Sequence, residues 1–120
     1  MKIIEHKQKP RIKVEKLKEP KEYDSIYEPE EDGLRIVKLK YKKFLIDSNG
    51  KKVSKEYDWI YFLEQDRLRK VELNDKYFLI NSKGKKVSKE YDYIWALDEN
   101  GLRKADLSDK IYWLEVKKWK

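Results

Sequence analysis

Nine consecutive residues, Gly50-Lys51-Lys52-Val53-Ser54-Lys55-Glu56-Tyr57-Asp58, return unchanged as Gly84 to Asp92, 34 positions further on. The wider register agrees. Glu22-Tyr23-Asp24, Glu56-Tyr57-Asp58 and Glu90-Tyr91-Asp92 recur at the same spacing, as do Leu34, Leu68 and Leu102, and Leu39, Leu73 and Leu107. Ile46, Ile80 and Leu114 complete the set without an insertion. A fixed period restricts the chain to architectures in which like units stack on, or close around, one another.

Helix–turn–helix repeats also have a period near 34 residues, so the content of the unit decides. Turn signals come every few residues, at Asp32-Gly33, Asn49-Gly50, Asn74-Asp75, Lys83-Gly84, Asn100-Gly101 and Ser108-Asp109. Asn-Gly supplies the positive φ values that a type I′ hairpin turn needs. The short segments between them are rich in aromatic and β-branched residues, as strands prefer. The unit reads as an antiparallel β-meander. In the second copy the pattern predicts four strands, over Tyr57–Leu63, Leu68–Leu73, Tyr77–Asn81 and Lys85–Ser88. Leu68 is out of phase with Val71 and Leu73, and Leu34 and Leu102 show the same slip, which predicts a bulge near Arg69–Lys70 and its counterparts. Tyr77-Phe78-Leu79-Ile80 is apolar on both faces and reads as a central strand.

The expected organisation is a basic segment over residues 1–20, then a β domain over 21–120 made of copies at 21–54, 55–88 and a truncated 89–120. In the third copy Lys118 stands where Gly50 and Gly84 stand, so the last hairpin is missing from the pattern. Residues 11–17 alternate like a strand and are expected either to supply the missing edge or to cap the first unit. An open twisted sheet or short solenoid is the favoured architecture, with a closed trefoil-like barrel as the alternative.

Charged residues make up 44% of the 120, and mean hydropathy is −1.01, values that alone suggest disorder. The 9 Tyr, 4 Trp and 3 Phe argue instead for a folded domain with a thin aromatic core. There is no cysteine, which excludes disulfides, thiolate metal sites and a cysteine nucleophile. The charged N-terminus is unlike a signal peptide, and no stretch approaches the ~20 apolar residues of a membrane helix. A cytoplasmic protein without a membrane partner is the expectation. The net charge of +7 sits entirely at the ends: residues 1–19 carry +4, Lys117, Lys118 and Lys120 carry +3, and twenty basic side chains balance twenty acidic ones between.

The repeat unit resembles that of the WG-repeat proteins, bacterial arrays of β-units, over about residues 21–116. The matching elements are Tyr23-Asp24-Ser25-Ile26, Gly33-Leu34, Leu45-Ile46-Asp47 and Gly50-Lys51. Tyr57-Asp58-Trp59-Ile60, Leu79-Ile80-Asn81, Gly84-Lys85, Tyr91-Asp92-Tyr93-Ile94 and Gly101-Leu102 continue them. The chain is divergent: Lys43-Phe44, Tyr77-Phe78 and Ile111-Tyr112 stand where the family's Trp-Gly pair would fall, and Arg67 replaces a glycine. The resemblance implies an interaction scaffold with no shared catalytic site.

The residues themselves offer little for catalysis. His6 is the lone histidine and lies outside the repeats. No nucleophile elbow, phosphate loop or metal-ligand pair occurs, and no cofactor is expected. Asp24, Asp58 and Asp92 read as turn or strand-end residues bonding local backbone. Tyr23, Tyr57 and Tyr91 read as core. Ser25, Trp59 and Tyr93 share one repeat position, and Tyr27, Tyr61 and Trp95 share another. With Ile26, Ile60 and Ile94 inward, strand alternation turns both sets to the opposite face. That stripe of Trp59, Tyr61, Tyr93, Trp95 and Tyr27 is either a protein-binding hot spot or a second buried layer. The expected function is a non-catalytic module, an inhibitor or adaptor, that binds a larger protein through this face. The alternative is a nucleic-acid binder that grips phosphates with Lys7, Lys9, Arg11, Lys13, Lys117 and Lys118 and stacks bases on the aromatics. The neutral repeats count against it.

Overall fold

The computed structural model describes residues 23–116. They form three antiparallel three-stranded sheets, one per repeat. The first is β1 (Ser25–Ile26), β2 (Arg35–Leu39) and β3 (Lys42–Ile46); the second is β4 (Trp59–Ile60), β5 (Arg69–Leu73) and β6 (Lys76–Ile80). The third is β7 (Tyr93–Ile94), β8 (Leu102–Leu107) and β9 (Lys110–Glu115). The fold is all-β and open, with no sheet closed into a barrel. The expected capping strand at 11–17 lies outside the described residues, as do the basic residues Lys7, Lys9, Arg11, Lys13, Lys117 and Lys118.

The two-residue hairpin turns explain one repeated motif. Lys40-Tyr41, Asn74-Asp75 and Ser108-Asp109 all have positive φ at both positions, as a type I′ turn requires. The Oδ2 atoms of Asp24, Asp58 and Asp92 each accept the first turn residue's backbone N–H at 2.9 Å. The recurring Asp therefore pins its own repeat's hairpin. The Asn49-Gly50 turn is of another kind: only Gly50 has positive φ, and its N–H donates to the Asp47 carbonyl.

Three expectations are corrected. Lys85–Ser88 is not a strand. Lys86 makes an isolated bridge to Ile80, and the Ser88 hydroxyl, not backbone, accepts the Leu79 N–H at 2.9 Å. Nor is there a bulge at Arg69–Lys70 or its counterparts, because β5 and β6 pair in unbroken register from Arg69↔Ile80 to Leu73↔Lys76, and β2–β3 and β8–β9 do likewise. Leu68 is out of phase because it packs on the opposite face from Val71, in the cluster with Leu79, Tyr91, Ile94 and Ala105. Finally, β5 is the central strand of its sheet, and β6 lies at the sheet's edge.

β6 is apolar on both faces for a different reason: its sheet is sandwiched. Phe78 and Ile80 join Val71, Tyr57 and Ile60 in a cluster with Leu34, Ile36 and Leu45 of the first repeat. Leu79, on the opposite face, joins Leu68 in a cluster with Tyr91, Ile94 and Ala105 of the third. Each of these cores lies between consecutive repeats. Ile60 and Ile94 are buried as expected, but Ile26 is 50% exposed, although its ladder partner Val37 is buried. Of the recurring tyrosines, Tyr57 and Tyr91 are buried, and Tyr23 is half-buried against Phe44.

Two arginines lock the stack. Arg69 and Arg103 are 0% exposed. The Arg69 guanidinium forks onto Glu30 and Asp32 of the preceding repeat, with four hydrogen bonds of 2.7 to 3.0 Å. Arg103 does the same with Glu64 and Asp66. The second oxygens of the two glutamates accept backbone N–H groups of Leu63 and Leu97, so they too are satisfied. Burial alone would lower the pKa of these guanidinium groups, but their carboxylate partners raise it above the ordinary value. A planar fork that meets two carboxylates is what Arg provides and Lys does not.

Candidate interaction face

β1, β4 and β7 are the short outer strands that carry the aromatic stripe. Ile60 and Val71 are partners in the β4–β5 ladder, so Trp59 pairs with Glu72 on the other face. The Tyr61 N–H donates to the Lys70 carbonyl, which extends that pairing by one step. Alternation thus turns Trp59 and Tyr61 away from Ile60, and the Trp59 ring reaches back over Lys43 of the first repeat.

The five residues fall into two groups with different surroundings. Tyr27 and Trp59 enclose the buried ammonium of Lys43, which lies 3.3 Å from the Trp59 ring centroid and donates to the Tyr27 hydroxyl at 3.2 Å. A cavity of about 90 Å³ opens there, lined by Tyr27, Lys43, Trp59, Tyr61 and Phe62 among others. Tyr61 and Tyr93, with Tyr77, surround the buried ammonium of Lys70 at 4.3, 5.0 and 5.8 Å. Lys70 also donates to the Ile94 carbonyl at 2.6 Å. Burial lowers the Lys70 pKa, and burial with Tyr61 and Glu72 nearby pushes the Tyr77 phenol up. Trp95 packs edge-on against Tyr93 at 4.6 Å and holds Lys104 over its ring at 4.7 Å.

The stripe is therefore a cation–aromatic ladder. A lysine ammonium over an aromatic face is attracted by the ring quadrupole, more strongly when both are desolvated. Its tyrosines are half-buried between repeats, whereas Trp59 remains 45% exposed and Trp95 38%. Phe62, which the sequence pattern did not single out, is the most exposed ring beside them and meets Tyr27 edge-on. No periodic signal marks it, because its repeat equivalents are Glu28 and Ala96.

The larger groove, of about 400 Å³, lies along Pro29, Glu30, Glu31, Leu63, Glu64 and Gln65. Glu30 and Glu64 there are already committed to Arg69 and Arg103. Among the described residues no group of three or more His, Cys, Asp or Glu side chains could hold a metal ion, and no helix is long and apolar enough to cross a membrane.

The sequence model of the WG containing repeat matches residues 44–77 and 77–102, two abutting units. The chain belongs to the WG-repeat family. No curated protein and no solved structure matches it. In this WG-repeat chain the position of the family's Trp-Gly pair falls on Lys43-Phe44, Tyr77-Phe78 and Ile111-Tyr112. Lys43 and Tyr77 belong to the two ammonium cages, and Phe44 and Phe78 are buried beneath Tyr23 and Tyr57.

Proposed function

We propose that this WG-repeat chain is a non-catalytic interaction module that captures a protein partner on the outer aromatic ladder. The observation that carries this reading is the exposure of Trp59, Trp95 and Phe62 along one side of a densely charged surface. Large rings that are held rigid on one face and open on the other act as anchors at protein interfaces, because little side-chain entropy remains to be lost. Lys43 and Lys70 supply the rigidity. The inhibitor or adaptor role is the form we assign to such binding: it occludes a larger protein or tethers it.

The burial of those same lysines favours protein over nucleic acid. A strand of nucleic acid needs cations at the surface to displace its counterions, and Lys43 and Lys70 are both enclosed by rings.

The test is affinity capture from a cell lysate with the wild-type chain, Trp59→Ala and Trp95→Ala, with and without nuclease. The variants should keep their thermal midpoints within a few degrees and lose a protein that wild type retains after nuclease treatment. Capture that disappears with nuclease, or that survives both substitutions, defeats the reading.

A further inference from the structure

The third repeat bears, on the side away from the second, the same sheet face that elsewhere receives a following repeat. In the second sheet this face carries Lys70, Glu72, Tyr77 and Leu79, and Lys70 and Leu79 are buried under the third repeat. In the third sheet it carries Trp95, then Lys104 and Asp106, then Ile111 and Trp113, while the Tyr93 ring turns back to Tyr77 and Lys70 of the second repeat. Trp113 is 58% exposed and Ile111 49%. We propose that this face is a self-association surface, through which two copies of the chain join about a twofold axis.

Three observations select a second copy in this arrangement. Simple continuation of the stack is not supported, because the clamp that receives the next arginine is altered. Asp98 and Asn100 stand where Glu64 and Asp66 hold Arg103, and the Asp98 Oδ1 is occupied by the Asn100 and Leu102 N–H groups. The opposite end of the molecule is closed to it as well: Val37, Phe44 and Ile46 on the outer face of the first sheet are already buried. Head-to-tail growth thus lacks both its lock and its landing site. What remains for identical copies is an isologous contact, in which one patch meets itself.

The patch is complementary to itself. Lys104 pairs across the ladder with Trp113, and Asp106 with Ile111. Trp95 flanks Lys104 through its N–H to the Lys104 carbonyl and through the Lys104 ammonium over its ring. A twofold axis lying across the strands, between these two rows, sets Lys104 of each copy against Asp106 of the other. It also sets Trp113 against Ile111. Opposite charges then face each other within an apolar frame, which fixes register while the rings supply contact area. The face shares only Trp95 with the proposed capture surface, and Trp59 and Phe62 on the second repeat stay free in such a dimer.

Charge exchange tests it. Sedimentation velocity of the purified chain should show a species of twice the 14.7 kDa chain mass. Lys104→Asp places like charges against Asp106, and Asp106→Lys does so against Lys104. Each alone should weaken the dimer at least about tenfold, and mixing the two variants should restore it as a heterodimer. If Lys104→Asp fails to fold, Ile111→Lys gives a second reading and should also yield monomer. A chain monomeric up to about 1 mM, variants that dimerise as wild type does, or a mixture that stays monomeric would each overturn the proposal. Growth beyond two chains would overturn it too, since a twofold contact closes.

Discussion

Arg69 donates two hydrogen bonds to Asp32, at 2.7 and 2.9 Å, across 37 residues of sequence, with its own side chain wholly removed from water. The same contact recurs between Arg103 and Asp66. Each sits at a junction between repeats. Removing one partner of such a pair leaves an uncompensated buried charge, which costs about 3–5 kcal/mol. Arg103→Ala should therefore lower the urea midpoint strongly. Arg103→Lys should recover only a fraction of the loss, because an ammonium cannot span Glu64 and Asp66 as a fork does.

The clamp also sets the acid limit. Burial would raise the pKa of Asp32, but hydrogen bonds from Arg69, Ser82 and the Leu34 N–H outweigh it and hold the carboxyl at about 2, from 3.8. A carboxylate depressed in the folded state stabilises fully above its unfolded pKa and loses that contribution as pH falls through the folded one. The loss should fall between pH 3.8 and about 2 and amount to about 2 kcal/mol. Stability of wild type and Asp32→Asn should differ least at the acid end of a pH series.

Arg67 adopts φ 70° where Gly33 and Gly101 occupy the equivalent turns. A side chain in the left-handed region costs about 1–2 kcal/mol, partly offset by the extra freedom glycine has when unfolded. Arg67 recovers little through its 3.5 Å contact with exposed Glu31. Arg67→Gly should raise the thermal midpoint by a few degrees.

Glycines 84 and 101 share positive φ but not surroundings. A Cβ on Gly84 would lie 2.1 Å from the Val53 carbonyl oxygen, whereas one on Gly101 meets nothing within 4 Å. Gly101→Ala should cost about 1 kcal/mol of backbone strain. Gly84→Ala must also push its own turn away from the Val53 backbone and should cost about 2–4 kcal/mol. Equal melting curves for the two would refute the difference.

How much of this could be read beforehand depends on which residues repeat and how. The 34-residue register located Tyr57, Tyr91, Ile60 and Ile94 in the core and gave Asp58 and Asp92 their turn role, because those positions are constant. Alternation on β4 turned Trp59 and Tyr61 to the same side. It could not say that this side faces another repeat, since a strand's pattern records burial and not what does the burying. The arginine clamp was missed because, in a chain that is 44% charged, Glu30, Asp32 and Arg69 read as surface. A signal existed: of the five arginines, Arg35, Arg69 and Arg103 share one repeat position, and acidic pairs precede the second and third by a constant offset. Ile26 went wrong for the converse reason. Its equivalents are buried by the repeat before them.

The two cores that span repeats belong to no single sheet: Val71 is covered by the first repeat, and Leu79 by the third. Excising the second unit would leave it without an interior, as an isolated strip with both broad faces wet. The smallest piece of this chain able to fold unaided is then a pair of adjacent units. A cut between the second and third units should leave the first two folded together and the third, alone, unfolded. Duplicating a unit, by contrast, would add a complete new interface wherever its Glu-x-Asp turn and its arginine both find a neighbour.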